Sequence, residues 1–432
     1  MHFKSMICAA ESITILRTLG FPLPRGAWQR QYWRRISMKP IVIIGTGMAG
    51  YTVAREFRRL NKDAPLVLVT ADSGGSYSKP MLSNAFAQNK DAQQLVMQDA
   101  TQMAGQLNAD IKVSTAVTAI DTDAKTIETS GGKIDYDKLV LAVGAQPIRL
   151  ELKGDAAQQV LSVNNIDDYA VFRQRIVSAS NAAPVRVAII GAGLIGCEFA
   201  DDLAGAGHAV TVIDPNNRPL AALAAPALSE GLQTALQARG VQFRFGTVAE
   251  AVHQAGPELQ VQLADGSTVE ADIVLSAVGL RPDLRLAHLA GLKTNRGIVV
   301  DNAGQTSAAD VYALGDCAEY TFADGSGHTL PYIAPIMTAG RAIARTLNGE
   351  RSEIDLKPSP VLIKTPSYPL ALIAPLPHTV ASGTWCVETA DNRTVCRFYD
   401  ADGVLTGFGT SPHDNAIRQT LLGELGKKAE TA

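Results

Sequence analysis

Two stretches of the chain repeat one pattern of apolar and polar positions. The stretch "PIVIIGTGMAGYTVAREFRRLNKDAPLVLVTAD" opens on an apolar run, breaks at Gly45, Gly47 and Gly50, continues at helical spacing, and closes on a second apolar run ending at Asp72. Short apolar runs bounded by glycine read as buried strands, and the length between them suits one helix. The pattern returns in "VRVAIIGAGLIGCEFADDLAGAGHAVTVID", with Gly191, Gly193 and Gly196 in the turn and Asp214 at the second strand end. Gly45 and Gly191 lie 146 residues apart, a domain's length.

Between the two units, "VSTAVTAIDTDAKTIETSGGKIDYDKLVLAVGAQP" alternates apolar and polar residues around Gly131 and Gly132, as a small antiparallel meander would. A similar pattern, "VQVQLADGSTVEADIVLSAVGLRP", follows the second unit. From about Lys357 the prolines become dense, the apolar runs shorten to "VLIKTP" and "CRFYD", and an amphipathic helix is expected near residues 413 to 425. This tail reads as a separate small α+β domain.

Composition limits the readings. With 432 residues, 46% of them hydrophobic, the chain can bury two or three cores. Its 39 basic and 42 acidic side chains give a net charge of −3, which argues against nucleic acid or an anionic membrane as main partner. No run of about 18 apolar residues is present to span a bilayer. Cys8, Cys197, Cys317, Cys386 and Cys396 form neither a CxxC nor a CxxxxC pair, so no disulfide framework and no metal site are expected, and a cytoplasmic setting fits. Residues 1–37 stand apart, with six basic side chains against Glu11 alone. They lack the apolar core and cleavage site of a secretory signal. An Arg-rich transit peptide is one reading; the preferred one is a disordered extension or a start placed upstream of the true one at Met38. Without them the net charge becomes −8.

The glycine turns carry the chemistry. In GxGxxG the first glycine makes the tight bend, the second lets the backbone approach a pyrophosphate, and the third lets helix pack on strand. The helix N-terminus then offers unpaired N–H groups and a positive dipole end to the phosphates. Two such turns, each after an apolar strand and each followed by an acid at a strand end, predict two bound dinucleotides. The expected fold class is therefore α/β, with two Rossmann-like dinucleotide-binding domains and the small C-terminal α+β domain. Asp214, 23 residues after Gly191, stands where a carboxylate takes a ribose 2′-OH and repels a 2′-phosphate, which favours NADH, while Arg218 nearby leaves NADPH open.

These residues, with "SYSKPMLS", "LVLAVGAQPI", "AVGLRP", "NRGIVVD", "TSAADVYALGDCAE" and "IKTPSYPL", resemble the FAD-dependent pyridine nucleotide oxidoreductases of glutathione-reductase-like fold, and within that family its rubredoxin–NAD reductases. The likeness spans residues 39 to 432. It implies a discontinuous FAD domain at 38–147 and 281–356, an NAD domain at 148–280 and a C-terminal domain at 357–432. It implies that Gly45, Thr46, Gly47, Met48, Ala49 and Gly50 face the FAD pyrophosphate, with Asp72 near the adenosine ribose and Val117 on the adenine side. Asp316, in the "GD" motif, would hold the ribityl or pyrophosphate region, and Ile333 would open a helix aimed at the flavin pyrimidine. Lys79, Pro80 and Lys364 would approach the flavin ring, with Glu198 as the carboxylate that pairs with a lysine where flavin and nicotinamide meet. Lys79 is the expected partner. Gly191, Gly193, Gly196, Asp214 and Gly279 would hold NADH.

The acceptor is the open question. Disulfide reductases of this kind need a CxxxxC or CxxC pair, and related peroxidases a cysteine near "SYSKPMLSNAF"; neither is present. Cys197 and Cys317 read as small apolar fillers, although a helix N-terminus can lower a thiol pKa and leaves a reactive role open. The expectation is an NADH-dependent reductase that sends electrons through FAD, one at a time, to rubredoxin or a similar small iron carrier. Flavorubredoxin or ferredoxin are alternative acceptors, and an NADH-sensing signalling flavoprotein is the alternative of another class. A monomer is expected, with brief docking over an interface of under about 1,200 Å². Lys364, Arg281 and Arg285 are candidates to attract an acidic carrier.

Overall fold

The computed structural model describes residues 39–180, 184–322, 325–376 and 379–429. The expectation for residues 1–37 lies outside the described residues.

Each repeated unit builds a parallel sheet. In the first, the strands run in the order Val311–Ala313, Lys138–Leu141, Ile41–Ile44, Leu66–Val69, Asp110–Lys112. In the second the order is Gln242–Phe245, Ala209–Asp214, Arg186–Ile190, Ile273–Ser276. Strands such as Ile41–Ile44 and Arg186–Ile190 are buried along nearly their whole length, which is why they read as apolar runs and not as alternating ones. The expected α/β class is observed. Helix α1 (Met48–Leu60) follows the first glycine turn. Further along the chain come α2 (Ile166–Ala179), α3 (Leu194–Gly205) after the second glycine turn, and α4 (Ile333–Leu347).

The two meanders form as three-stranded antiparallel sheets, Val117–Asp121 with Thr126–Thr129 and Gly132–Asp135, and Ala249–Ala255 with Glu258–Leu263 and Thr268–Ala271. The strand Val311–Ala313 pairs with Lys138–Leu141, so the first sheet is completed by chain that returns after the second unit. The outward and return passages run side by side: Ala145–Pro147 pairs antiparallel with Leu280–Pro282. The tail forms a five-stranded antiparallel sheet, Val361–Ile363, Leu370–Ile373, Leu405–Ser411, Arg393–Tyr399, Thr384–Ala390, and closes with the helix Asn415–Glu424.

One apolar core surrounds the first sheet; the other sheet packs one face, through Ala188, Ile190, Ile213 and Val274, on Val252, Leu259 and Val261 of its meander, and the opposite face on a second large core. The second is not confined to its own unit: Val187, Val212, Phe199 and Leu203 share it with Leu82 and Phe86 from the first unit and with Ile363, Leu370 and Leu372 from the tail. All three parts of the chain therefore meet along α3.

Candidate functional site

The two glycine turns have the same geometry. Gly45 and Gly191 have φ of +106° and +109°, a left-handed backbone open to glycine. A Cβ on Gly50 or on Gly196 would lie 1.9 Å from the carbonyl oxygen of the turn's first glycine, so helix and strand could not close up. At Gly47 and Gly193 a Cβ would meet nothing within 4 Å. These two residues cap α1 and α3, and neither helix has a side-chain cap. Each turn thus sets unpaired helix N–H groups in front of open space, which is what a pyrophosphate requires. The residues present fit two dinucleotides.

Around the first turn the structure gathers most of the expected FAD residues. Thr46 donates to Asp72 Oδ1 at 3.4 Å, and the same oxygen takes Thr70 Oγ1 at 2.6 Å and the Gly74 N–H at 2.9 Å. Asp72 Oδ2 makes no hydrogen bond among the described residues and is open to a ribose hydroxyl. The segment leading into Val117 is tied alongside, with the Ser114 N–H donating to the Asp72 carbonyl at 2.9 Å. Asp316 sits in the turn Gly315–Cys317; a Cβ on Gly315 would lie 3.0 Å from the Ala49 Cβ and 3.9 Å from Ile336. Met48 begins α1, and half-exposed Ile333 begins α4, whose cap Tyr332 also makes no side-chain capping bond. The 3-10 helix Lys79–Asn84 runs across this region with Pro80 in its first turn.

Around the second turn, Asp214 is more occupied than the sequence suggested. Its Oδ2 takes the Ala192 N–H at 2.6 Å and its Oδ1 takes the Asn216 backbone and side-chain N–H groups, each at 2.8 Å. It shapes the glycine turn itself, and a carboxylate's fourth lone-pair position is left for a ribose. Gly279, at φ +109°, follows the strand Ile273–Ser276 that flanks the turn, and its carbonyl accepts the Ile148 N–H at 3.1 Å.

The lysine pairing differs from the expectation. Lys79 Nζ stands 3.8 Å from Asp316 Oδ2, not beside Glu198; burial lowers its pKa and Asp316 works against that. Glu198 is fully buried and takes the Lys364 ammonium, the Lys364 backbone N–H at 2.9 Å and Ser83 Oγ at 2.5 Å. Beside this pair, the Asn84 amide donates to the Lys364 carbonyl at 2.8 Å. The first unit, α3 and the tail are thus joined in one ring of hydrogen bonds.

Three residues in this region were not foreseen. Asp201 and Asp202 follow Glu198 at helical spacing on α3, and both are 3% exposed or less. Asp201 takes the Ser367 N–H at 2.9 Å and pairs with Arg239 at 3.0 Å. Asp202 takes the N–H groups of Phe86 at 2.8 Å and Ala87 at 2.9 Å; burial raises its pKa to about 6 despite these bonds. Ser83 is the third. A sequence signal existed for the pair: two adjacent acids on a helix that otherwise reads as buried.

Among the described cysteines, Cys197, Cys317 and Cys396 are buried and Cys386 is exposed. Cys197 and Cys317 are fully buried, Cys197 donates to the Ala192 carbonyl, and burial pushes the Cys317 thiol up to about 11 and the Cys197 thiol further. At both thiols burial outweighs whatever lowers the pKa.

Residues 39–344 match the family model described as pyridine nucleotide-disulphide oxidoreductase. The chain belongs to that family. Residues 353–425 of this oxidoreductase match a second model, the rubredoxin binding C-terminal domain. It is 44% identical over 372 residues to a rubredoxin-NAD(+) reductase of Alcanivorax borkumensis, covering 86% of this chain and 94% of the relative. To the rubredoxin-NAD(+) reductase of Acinetobacter baylyi it is 43% identical over 377 residues, covering 86% and 93%. Among solved structures, that of the covalent putidaredoxin reductase–putidaredoxin complex matches with a TM-score of 0.79 at 26% identity, over 90% of this chain and 94% of that one. No helix among the described residues is long and apolar enough to cross a membrane.

Proposed function

We propose that the protein is an NADH-dependent, FAD-containing reductase that passes electrons from NADH to rubredoxin, one at a time. The observation that carries this reading is the ring at Glu198. It ties the helix of the second dinucleotide turn to Lys364, a residue of the tail that resembles a rubredoxin-binding domain, and so brings the carrier's side of the molecule to the place where two nucleotides would meet.

FAD supplies the chemistry that the step needs, since it accepts an electron pair as hydride and returns electrons singly. The residues of the chain bind and orient. The first turn, Asp72, Val117 and Asp316 would hold FAD, and the start of α4 would offer a positive dipole end to the charge that reduction adds. Lys79, Pro80 and Lys364 would line the approach to it. The second turn, Asp214 and Gly279 would hold NADH. Glu198, held by three donors, keeps Lys364 in place.

The reading includes the division of the chain into an FAD domain (38–147 and 281–356), an NAD domain (148–280) and a carrier-docking domain (357–432). It also includes a cytoplasmic monomer that meets its carrier briefly. The test is rapid mixing. NADH should bleach the flavin within the turnover time, NADPH should do so far more slowly, and oxidised rubredoxin should restore the flavin colour. A flavin that NADH leaves oxidised, or that rubredoxin leaves reduced, sinks the proposal.

A further inference from the structure

Helix α3 buries three carboxylates, Glu198, Asp201 and Asp202, spaced three and four residues apart and so on one face. Burying a carboxylate is costly even when it is hydrogen-bonded, and packed hydrophobes of the same volume are often the more stable choice. The acids therefore call for an explanation other than stability. What they hold supplies it: none of their partners described above lies in α3 itself. Glu198 and Asp201 reach the tail at Lys364 and Ser367, whereas Asp202 reaches only the segment that continues the flavin-approach helix Lys79–Asn84.

At the start of that segment the Lys79 ammonium stands 3.8 Å from Asp316, beside the first glycine turn. Its far end is fixed by Asp202, whose two oxygens each take one backbone N–H, from Phe86 and from Ala87. Between these lies the Ser83 bond to Glu198. The Phe86 ring of the far end stands edge-on to Tyr169 and Phe172 of α2, at 5.5 Å and 5.4 Å.

We infer that Asp202 is a positioning residue for hydride transfer. Through Phe86 and Ala87 it sets the separation between the Lys79–Asn84 segment, which borders the flavin, and α3, whose start borders the nicotinamide. The inference rests on the NADH-to-FAD reading above. Hydride transfer needs the reacting atoms in near-contact, and a displacement of about 1 Å costs roughly 100-fold in rate. Asn at this position keeps one acceptor oxygen but turns an amide donor toward the second N–H, so it loosens the far end and leaves both glycine turns intact.

The experiment compares FAD-loaded wild type with Asp202→Asn and Asp202→Ser. Three quantities are measured: the flavin reduction rate at saturating NADH, the NADH concentration giving half that rate, and backbone amide exchange in residues 85–90. The expected result is a reduction rate lower by about 10- to 100-fold, a half-saturating NADH concentration unchanged within about twofold, normal FAD content, faster exchange at Phe86 and Ala87, and wild-type reoxidation by ferricyanide. A variant that exchanges faster at these amides yet reduces at the wild-type rate overturns the inference. So does loss of FAD or of folding in both variants, which would make Asp202 a structural residue only. Wild-type flavin that NADH leaves oxidised would sink the proposed function itself, a failure seen before any variant is compared.

Discussion

At the scale of single residues, the buried acids of α3 differ in what their charge depends on. Glu198 has a cation beside it, and among the described residues Lys364 is its only ammonium partner. Replacing Lys364 by methionine strands that carboxylate, and removing one partner of a buried pair costs about 2–4 kcal/mol where, as here, one partner retains some contact with water. Urea unfolding of Lys364→Met should show a loss in that range, and Glu198→Gln in the same chain should recover most of it. A double variant as unstable as the sum of the singles would mean that the pair is not the cause. Among the described residues Asp202 has the Phe86 and Ala87 N–H groups and no ion-pair partner, and burial raises its pKa to about 6. Unfolded, it titrates at about 3.9. Between those values the folded chain keeps a proton that the unfolded chain has released, so this group's contribution is present below about pH 4 and is lost as pH rises through about 6. Asp202→Asn should flatten the stability profile over that window relative to wild type. His208 lies edge-on to Phe86 and has a pKa lowered by burial, so the difference between the two proteins is the quantity to read. Equal slopes would show that Asp202 takes up no proton.

At the scale of elements, the two glycine turns separate binding from folding. At Gly47 and Gly193 an added methyl group meets no more distant part of the described chain within 4 Å, whereas at Gly50 it meets the Gly45 carbonyl. Gly47→Ala should fold and lose FAD affinity by tenfold or more, about 1.4 kcal/mol. Gly193→Ala should keep its FAD and raise the NADH concentration needed for half-maximal flavin reduction by a similar factor. Gly50→Ala should lower the yield of folded protein. Equal behaviour of the three variants in FAD titrations and thermal melts would contradict these roles. The turns were legible in the sequence because their physics is local: a strand, three glycines and a helix specify each other within a short stretch. The meanders and the last helix were legible for the same reason, through alternation and helical spacing. The ring of Ser83, Glu198, Lys364 and Asn84 was not, because its members lie 115 and 166 positions apart and no periodicity links them. Long separation in sequence likewise hid the pairing of Lys79 with Asp316 and the bonds of Asp202 to Phe86 and Ala87.

At the scale of the whole molecule, the tail presents an exposed side chain next to its buried contact. Leu362 is 45% exposed and lies two residues before Lys364, whereas Ile363 between them is buried. Leu362→Glu should therefore slow rubredoxin reduction by tenfold or more, about 1.4 kcal/mol at the encounter, while NADH-driven ferricyanide reduction stays at the wild-type rate. Equal loss with both acceptors would place the residue in flavin reduction and not in docking. The paired passages Ala145–Pro147 and Leu280–Pro282 bear on how such a molecule can change over generations or at the bench. Because the chain leaves and returns at adjacent points, the stretch between them resembles a cassette with both ends at one socket, and exchanging it for one of different coenzyme preference requires only two neighbouring joints. The socket is not the whole fitting: a transplanted cassette without carboxylates at 198, 201 and 202 would seat correctly at its ends and still rock against the residues around 86 and 364.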